Sequence, residues 1–232
     1  MAANTNPLRT AVTGGTSGLG LALVRELHRR GYGVAFVART SEHVDRVARD
    51  HPGTHGIVGD VARKEDIHAI ALQITVALGG LDVLVNNASS LGPTPLALLA
   101  DTECEDFAVA LETNVLGPFR LRKALLGALT ASAREGRGAV VLNVSSDAAI
   151  NAYAQWGAYG ASKAALRHMS AIWDEELAVE GVRFLSVDPG DMDTPLHALA
   201  VPDADPATLR RPETAAREVA DAISSALTKE HA

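Results

Sequence analysis

The chain has one cysteine in 232 residues, Cys104, which excludes an internal disulfide, and it has no Cys/His spacing that would suggest a metal site. The neighbours of Cys104 are Glu103, Glu105 and Asp106, none of which offers a cation to activate a thiolate, so a nucleophilic role is disfavoured. Positive charge is not in excess either. Lys and Arg number 21 against 28 Asp and Glu, and the net charge of −7 argues against nucleic acid and anionic membrane as partners. No apolar run approaches the ~18 residues of a membrane span. Met1 to Asn6 lacks the charged and apolar regions of a signal peptide, so a cytoplasmic location is expected. No Ser/Gly-rich or charge-block linker divides the chain, and residues 1–232 are read as one domain.

What the chain does have is regular alternation. Strand-like runs recur at Arg9–Thr13, Gly33–Val37, Thr54–Gly59, Leu81–Asn86, Gly138–Val144 and Val182–Val187, with helical patterns at about 18–30, 41–50, 63–79, 103–134, 153–180 and 213–228. Continuous apolar strands alternating with helices predict a parallel sheet covered on both faces. The expected class is α/β, a doubly wound parallel sheet of six strands ordered 3-2-1-4-5-6. In such a sheet ligands lie beyond the carboxyl ends of the strands, near the switch point beside the first strand.

The turn after the first strand, Thr13-Gly14-Gly15-Thr16-Ser17-Gly18-Leu19-Gly20, leads directly into an amphipathic helix. Glycine is needed there for the tight turn, for close approach to a pyrophosphate and for helix–strand packing, while the helix N-terminus offers free N–H groups to an anion. Taken alone, a glycine-rich turn after a strand is often only a turn.

Three further features converge on the same edge of the sheet. Tyr159 and Lys163 are spaced i,i+4, which places phenol and ammonium on one helix face, though such pairs are also common on surfaces. A tyrosine works as an acid or base near neutrality only if its phenolate is stabilised, and Lys163 is the cation at hand. Ser146 ends the fifth strand and could bond a substrate oxygen; a strand-end serine equally serves as a cap. Pro118 has no N–H for the carbonyl of Asn114, so the long helix should kink there, freeing a carbonyl that could hold a relay water or leaving a purely structural bend.

With these residues in view, the chain resembles the short-chain dehydrogenase/reductase family over nearly its full length. Thr13–Gly20 matches T-G-x-x-x-G-x-G, Asp60-Val61 the adenine-side Asp, Asn86-Asn87-Ala88 the N-N-A stretch, and Pro189-Gly190 with Thr194 the P-G-x-x-x-T stretch, while Asn114, Ser146, Tyr159 and Lys163 match the catalytic tetrad. The resemblance implies a hydride transfer between a nicotinamide and a carbonyl or alcohol carbon of a small molecule. Tyr159 would be the general acid or base, Lys163 would lower its pKa and bind the nicotinamide ribose, Ser146 would orient the substrate oxygen, and Asn114 would hold the relay water. It further implies that Gly14, Thr16, Ser17, Gly18, Leu19, Gly20, Asp60, Val61, Asn87, Ala88, Pro189, Gly190 and Thr194 line the cofactor site, with no metal.

Cofactor choice turns on the end of the second strand, where an Asp or Glu would select NAD. Here it reads Val37-Ala38-Arg39-Thr40-Ser41, and the Arg39 guanidinium with the Thr40 hydroxyl suits the 2′-phosphate of NADP(H), although an exposed loop arginine and nearby Glu42 leave NAD open. Ser89 departs from the family pattern, standing where glycine is usual. The chain also stops after its last helix, where family members of standard length add a seventh strand and a glycine-containing tail, so a six-stranded sheet is expected, a tetramer is doubtful, and a homodimer through the helices at 103–134 and 153–180 stays open. The proline-rich segment at about 191–212 is the expected substrate lid, with Met192, Leu196, His197, Ala148, Tyr153 and Trp156 as pocket lining, although Tyr153 and Trp156 could equally be ordinary packing. Competing readings are an NAD-dependent member of the family, a member catalysing epimerisation or dehydration, and an NADP-binding sensor without turnover.

Overall fold

The computed structural model describes residues 6–228. Its strands are β1 (Arg9–Thr13), β2 (Gly33–Ala38), β3 (His55–Val58), β4 (Val83–Asn86), β5 (Ala139–Val144) and β6 (Val182–Val187), all parallel and ordered β3-β2-β1-β4-β5-β6. The helices are α1 (Gly18–Arg29), α2 (Ser41–Asp50), α3 (Ile67–Leu78), α4 (Cys104–Leu111), α5 (Gly117–Arg134), α6 (Gly157–Leu177), α7 (Pro195–Ala200) and α8 (Pro212–Thr228). The expected doubly wound architecture and strand order are therefore found, and the strand order reverses between β1 and β4.

Successive strand residues point to opposite faces, and both faces are dry. Val12, Phe36, Val85 and Leu142 meet α1 and α8 on one side through Leu23, Leu27, Val219 and Ile223. On the other, Ala11, Val37, Leu84 and Val141 meet α3, α5 and α6 through Ile70, Ile74, Leu121, Leu125 and Trp173. Burial on both faces is why the central strands read as unbroken apolar runs.

Two departures from the expected helices have local causes. The segment expected as one helix over 103–134 is interrupted by one π-helical turn, Glu112–Leu116, just before Gly117-Pro118. Proline cannot donate the i→i−4 bond, and the wider turn accommodates that loss. A Cβ at Gly117 would also meet the Val61 carbonyl, so the bend is pressed against the end of the β3 region. In the 191–212 segment the prolines do not prevent helix but divide it: α7 and a 3-10 turn, Pro206–Thr208, each begin with proline at a first-turn position, where its missing N–H costs nothing.

The amino ends of the central strands are held by a buried carboxylate. Asp82, 0 % exposed, accepts bonds from the backbone N–H (2.7 Å) and Nη2 (2.6 Å) of Arg9, from Nη2 of Arg137 (2.8 Å) and from the Ser132 hydroxyl (2.5 Å). Burial alone would raise the Asp82 pKa, but the bonds from Arg137, Arg9 and Ser132 outweigh it and hold it at about 2. A carboxyl depressed on folding adds stability that is present above its unfolded pKa and is lost as pH falls through the folded one, here between about pH 4 and 2 and amounting to ~2–3 kcal/mol. Asp82→Asn should destabilise the fold at pH 7 by about 3–5 kcal/mol, because two partly buried guanidinium groups lose their anion. In urea unfolding the gap between variant and wild type should narrow as pH falls from 4 toward 2; a gap independent of pH would contradict this role.

Candidate active site

The turn between β1 and α1 is shaped by close approach. Gly14 and Gly18 have φ of +69° and +49°, a region that favours glycine. A Cβ at Gly20 would run into the Gly14 carbonyl and the Asn87 side-chain amide, and one at Gly15 would strike Phe36. Leu19 is buried in the core beneath the turn, whereas Ser17 is exposed and Thr16 half-buried. Ser17 begins α1 in an extended conformation without a side-chain capping bond, and no acidic residue lies in the first turn. The first N–H groups and the positive end of the helix dipole are thus left unopposed.

The end of β4 is tied to this turn. Asn87 Nδ2 donates to the Thr13 carbonyl (2.9 Å) and the Gly14 carbonyl (3.3 Å), and the Thr13 hydroxyl accepts from the N–H groups of Asn87 and Ala88, both at 3.0 Å. Asn86 and Asn143 lie opposite each other in the β4–β5 register, and their side chains bond at 2.8 Å; Asn143 continues to Ser170 of α6 at 2.8 Å. Asn143 and Ser170 were not singled out from the sequence, and Thr13 entered only as the first residue of the glycine motif. The signal available was a polar residue inside an otherwise apolar strand or helix face, which a parallel sheet tolerates only when its hydrogen bonds are met.

Tyr159, Lys163, Ser146 and Asn114 come together at this edge. Tyr159 is 8 % exposed and sits among Leu91 and Ala148, with Trp156 edge-on to its ring. Burial pushes the phenol up to about 12; the Ser146 and Ser89 hydroxyls pull against that rise, and Asp188 and Asp147 add to it. Lys163 is 2 % exposed, and burial lowers its pKa to about 8, with Asp188 acting in the opposite direction. Its Nζ lies 5.4 Å from the Tyr159 ring centre and donates to the Val144 carbonyl at 2.8 Å. Burial is the largest influence on both groups, and the ammonium is engaged by a strand carbonyl.

Ser146 is a cap, as one of its two readings had it. Its Oγ caps the short turn Asp147–Ala149 by accepting from Ala148 N–H (3.2 Å), and it also faces Tyr159 and donates to Asp147 Oδ1 at 3.1 Å. Asn114, 1 % exposed within the π turn, has its side chain fully engaged: Oδ1 accepts from Ser90 N–H (2.8 Å), and Nδ2 donates to the Ser90 carbonyl (2.7 Å) and the Ser162 hydroxyl (2.8 Å). Pro118 has no N–H to offer the Asn114 backbone carbonyl.

The remaining expected residues differ in their surroundings. Arg39 and Thr40 are exposed at the end of β2, and Thr40 begins α2 without a side-chain capping bond. Asp60 accepts from Ala62 N–H, and the Val61 side chain belongs to the core. Pro189 is buried; Gly190, at φ +75°, donates to Asp188 Oδ1. Thr194 caps α7 through His197 N–H, and its methyl group lies against Gly18, which brings the 191–212 segment onto the glycine turn. Leu196 and Ala200 of α7 pack near Tyr159 together with Trp156, as a pocket lining would. Met192 does not: it pairs with Arg210 and packs against the core on the α1 side. Tyr153 is half-exposed and donates to Asp147 Oδ2 at 2.7 Å.

These residues fit a dinucleotide. The α1 N-terminus has free donors for a pyrophosphate, and Lys163 has three N–H donors with one bond to protein. No group of three or more metal-ligating side chains occurs among the described residues, and no described helix is long and apolar enough to cross a membrane.

Comparison with known proteins agrees with this geometry. Residues 9–205 match the family model for short chain dehydrogenases. The chain is 33% identical over 201 residues to an L-fucose dehydrogenase of Bos taurus, covering 86% of this chain and 72% of that protein. It superposes on an alcohol dehydrogenase from Thermococcus sibiricus complexed with 5-hydroxy-NADP (TM-score 0.82, 26% identity, 94% of this chain and 91% of that one). It also superposes on a 3-ketoacyl-(acyl-carrier-protein) reductase from Brucella melitensis complexed with NADH (TM-score 0.84, 26% identity, 91% and 88%). With a glycine turn, a strand order and a matched span that all agree, the chain belongs to the short-chain dehydrogenase family of oxidoreductases, whose members use nicotinamide cofactors.

Proposed function

We propose that this protein is an NADP(H)-dependent carbonyl reductase or alcohol dehydrogenase acting on a small molecule, with Tyr159, Lys163, Ser146 and Asn114 as its working residues. The observation that carries the reading is a buried phenol beside a buried ammonium and a strand-end hydroxyl, one strand away from a turn built for a phosphate. When bound, the nicotinamide supplies or accepts the hydride. Tyr159 transfers the proton to or from the substrate oxygen, and Ser146, fixed by its cap bond to Ala148 N–H, orients that oxygen. Lys163 holds positive charge beneath the phenol, and its two remaining N–H donors serve the nicotinamide ribose. Glycines 14, 18 and 20, with Thr16, Ser17 and Leu19 between and beside them, hold the pyrophosphate. Asp60, Val61, Asn87 and Ala88 line the adenine and ribose side, and Pro189, Gly190 and Thr194 line the nicotinamide side.

Residues 191–212 act as the substrate lid. Their two ends are joined at Met192–Arg210, so the segment between can move without loosening the sheet. Leu91, Leu96, Trp156 and Leu196 around Tyr159 favour an apolar group next to the carbonyl. Arg39 and Thr40 favour the 2′-phosphate, since an exposed guanidinium at that strand end attracts it and has no carboxylate in the place that would repel it.

Titration with NADPH and NADH, followed by NADPH oxidation over a panel of ketones and aldehydes, tests the reading directly. NADPH binding with turnover is the expected result; absence of binding refutes it, and binding with no turnover across the panel favours a sensor. Tyr159→Phe should lower kcat/KM by roughly 10²–10⁴-fold while leaving the affinity for NADPH close to that of the wild type; near-normal turnover in that variant would remove Tyr159 from the mechanism. Arg39→Asp should lower the ratio of NADPH to NADH affinity by about 10–100-fold, the size of a lost charge-assisted bond. An unchanged ratio would show that Arg39 does not read the 2′-phosphate.

A further inference from the structure

Ser89 follows the Asn-Asn-Ala stretch at the end of β4, and its Oγ is buried with no hydrogen-bond partner at bonding geometry. A buried hydroxyl without a partner carries a desolvation penalty, so its persistence calls for a reason. The backbone on either side of it is clamped. The Ala88 N–H is held by the Thr13 hydroxyl at 3.0 Å, while both the N–H and the carbonyl of Ser90 are held by the Asn114 side chain at 2.8 and 2.7 Å. Leu91, two residues on, packs in the cluster that contains Tyr159. Asn114 therefore has a second job, that of a positioning residue: its side chain fixes the segment that carries Ser89.

We propose that Ser89 is a second hydroxyl of the reacting centre, aimed at the Tyr159 oxygen and donating to it when that oxygen becomes negative, so that Ser89 and Ser146 share the stabilisation of the phenolate. The proposal rests on Tyr159 being the proton-transfer residue. The groups facing the phenol divide by sign. Ser146 and Ser89 favour its ionisation; Asp147, from the turn after β5, and Asp188, from the end of β6, oppose it; and Lys163 lies beneath the ring on α6. With two carboxylates set against the phenolate and the nearest ammonium bonded to Val144, one serine hydroxyl would face that opposition alone. Glycine or alanine at position 89 would leave it so.

The test reads the phenol itself. In protein labelled with 3-fluorotyrosine, which moves phenol ionisation toward neutrality, the three tyrosines give separate 19F signals, and Tyr159 is identified by its loss in Tyr159→Phe. Ser89→Ala and Ser89→Gly should each raise the Tyr159 titration midpoint by roughly 1–2 pH units, the size of one hydrogen bond to a charged group, while Tyr32 and Tyr153 titrate as in the wild type and report an intact fold. An unmoved Tyr159 midpoint in either variant overturns the proposal. Where turnover is found, the limb of the kcat profile set by Tyr159 should move to higher pH by the same amount in alcohol oxidation. The 19F readout needs no substrate, so a protein that turns over nothing defeats the oxidoreductase reading without obscuring this result.

Discussion

The close approach between the β1–α1 turn and the end of β4 is the constraint on which the rest of the site depends. Backbone atoms of Gly14 and the side chain of Asn87 come so near the path of Gly20 that a single Cβ would force them apart. The Thr13 hydroxyl, accepting two N–H bonds at once, and Asn87, donating to two carbonyls, make this contact specific rather than merely tight. Because β4 lies between β1 and β5, the same contact sets where β5 ends, and with it Ser146 and the carbonyl that receives Lys163. The glycine turn and the phenol are thus placed by one set of bonds.

The chain keeps two ionisable groups at this edge in surroundings that disfavour their charged forms. Burial moves the phenol up and the ammonium down. That arrangement stabilises nothing in the folded chain by itself. It leaves both groups sensitive to any ligand that brings charge or hydrogen bonds to them, which is what the proposed mechanism requires. The opposite end of the sheet shows the contrast: Asp82 is equally buried but is surrounded by Arg9, Arg137 and Ser132, so its charge is held and the strands are tied together. One end of the sheet satisfies its buried charge completely, and the other leaves part of its hydrogen-bonding capacity open.

Much of this was legible in the sequence because it follows from periodicity and from residue types with narrow physical uses. Apolar runs alternating with helices led to the strand order, and glycine spacing led to the turn. The residues Asn87, Ser146 and Gly190 follow the adjacent strands β4, β5 and β6 at their carboxyl ends. What was not legible depends on three-dimensional partners. The π turn at Glu112–Leu116 needs the loss of a donor at Pro118 and the pressure of Val61 on Gly117, and only the first can be read along the chain. Burial, which pushes the phenol up and the ammonium down, is a property of the packed site. Met192 was assigned to the pocket by its place in the 191–212 segment, yet pairing with Arg210 turns it toward the core.

The same reasoning bears on the 191–212 segment as a moving part. Its base is not loose: Arg210 donates to the Pro189 carbonyl at 2.7 Å and to Glu218 at 2.6 Å, while the backbones of Asp191 and Asp193 bond to that of Arg210. Between those anchors α7 has no fully buried residue; it meets the Tyr159 cluster through Leu196 and Ala200 and touches the glycine turn through Thr194. A segment pinned at its base and held elsewhere by a few partly buried contacts has low local stability without endangering the fold. Those contacts also lie over the two places the proposed reaction needs covered, the phosphate turn and the phenol, so occupation of either place would bear directly on how the segment sits.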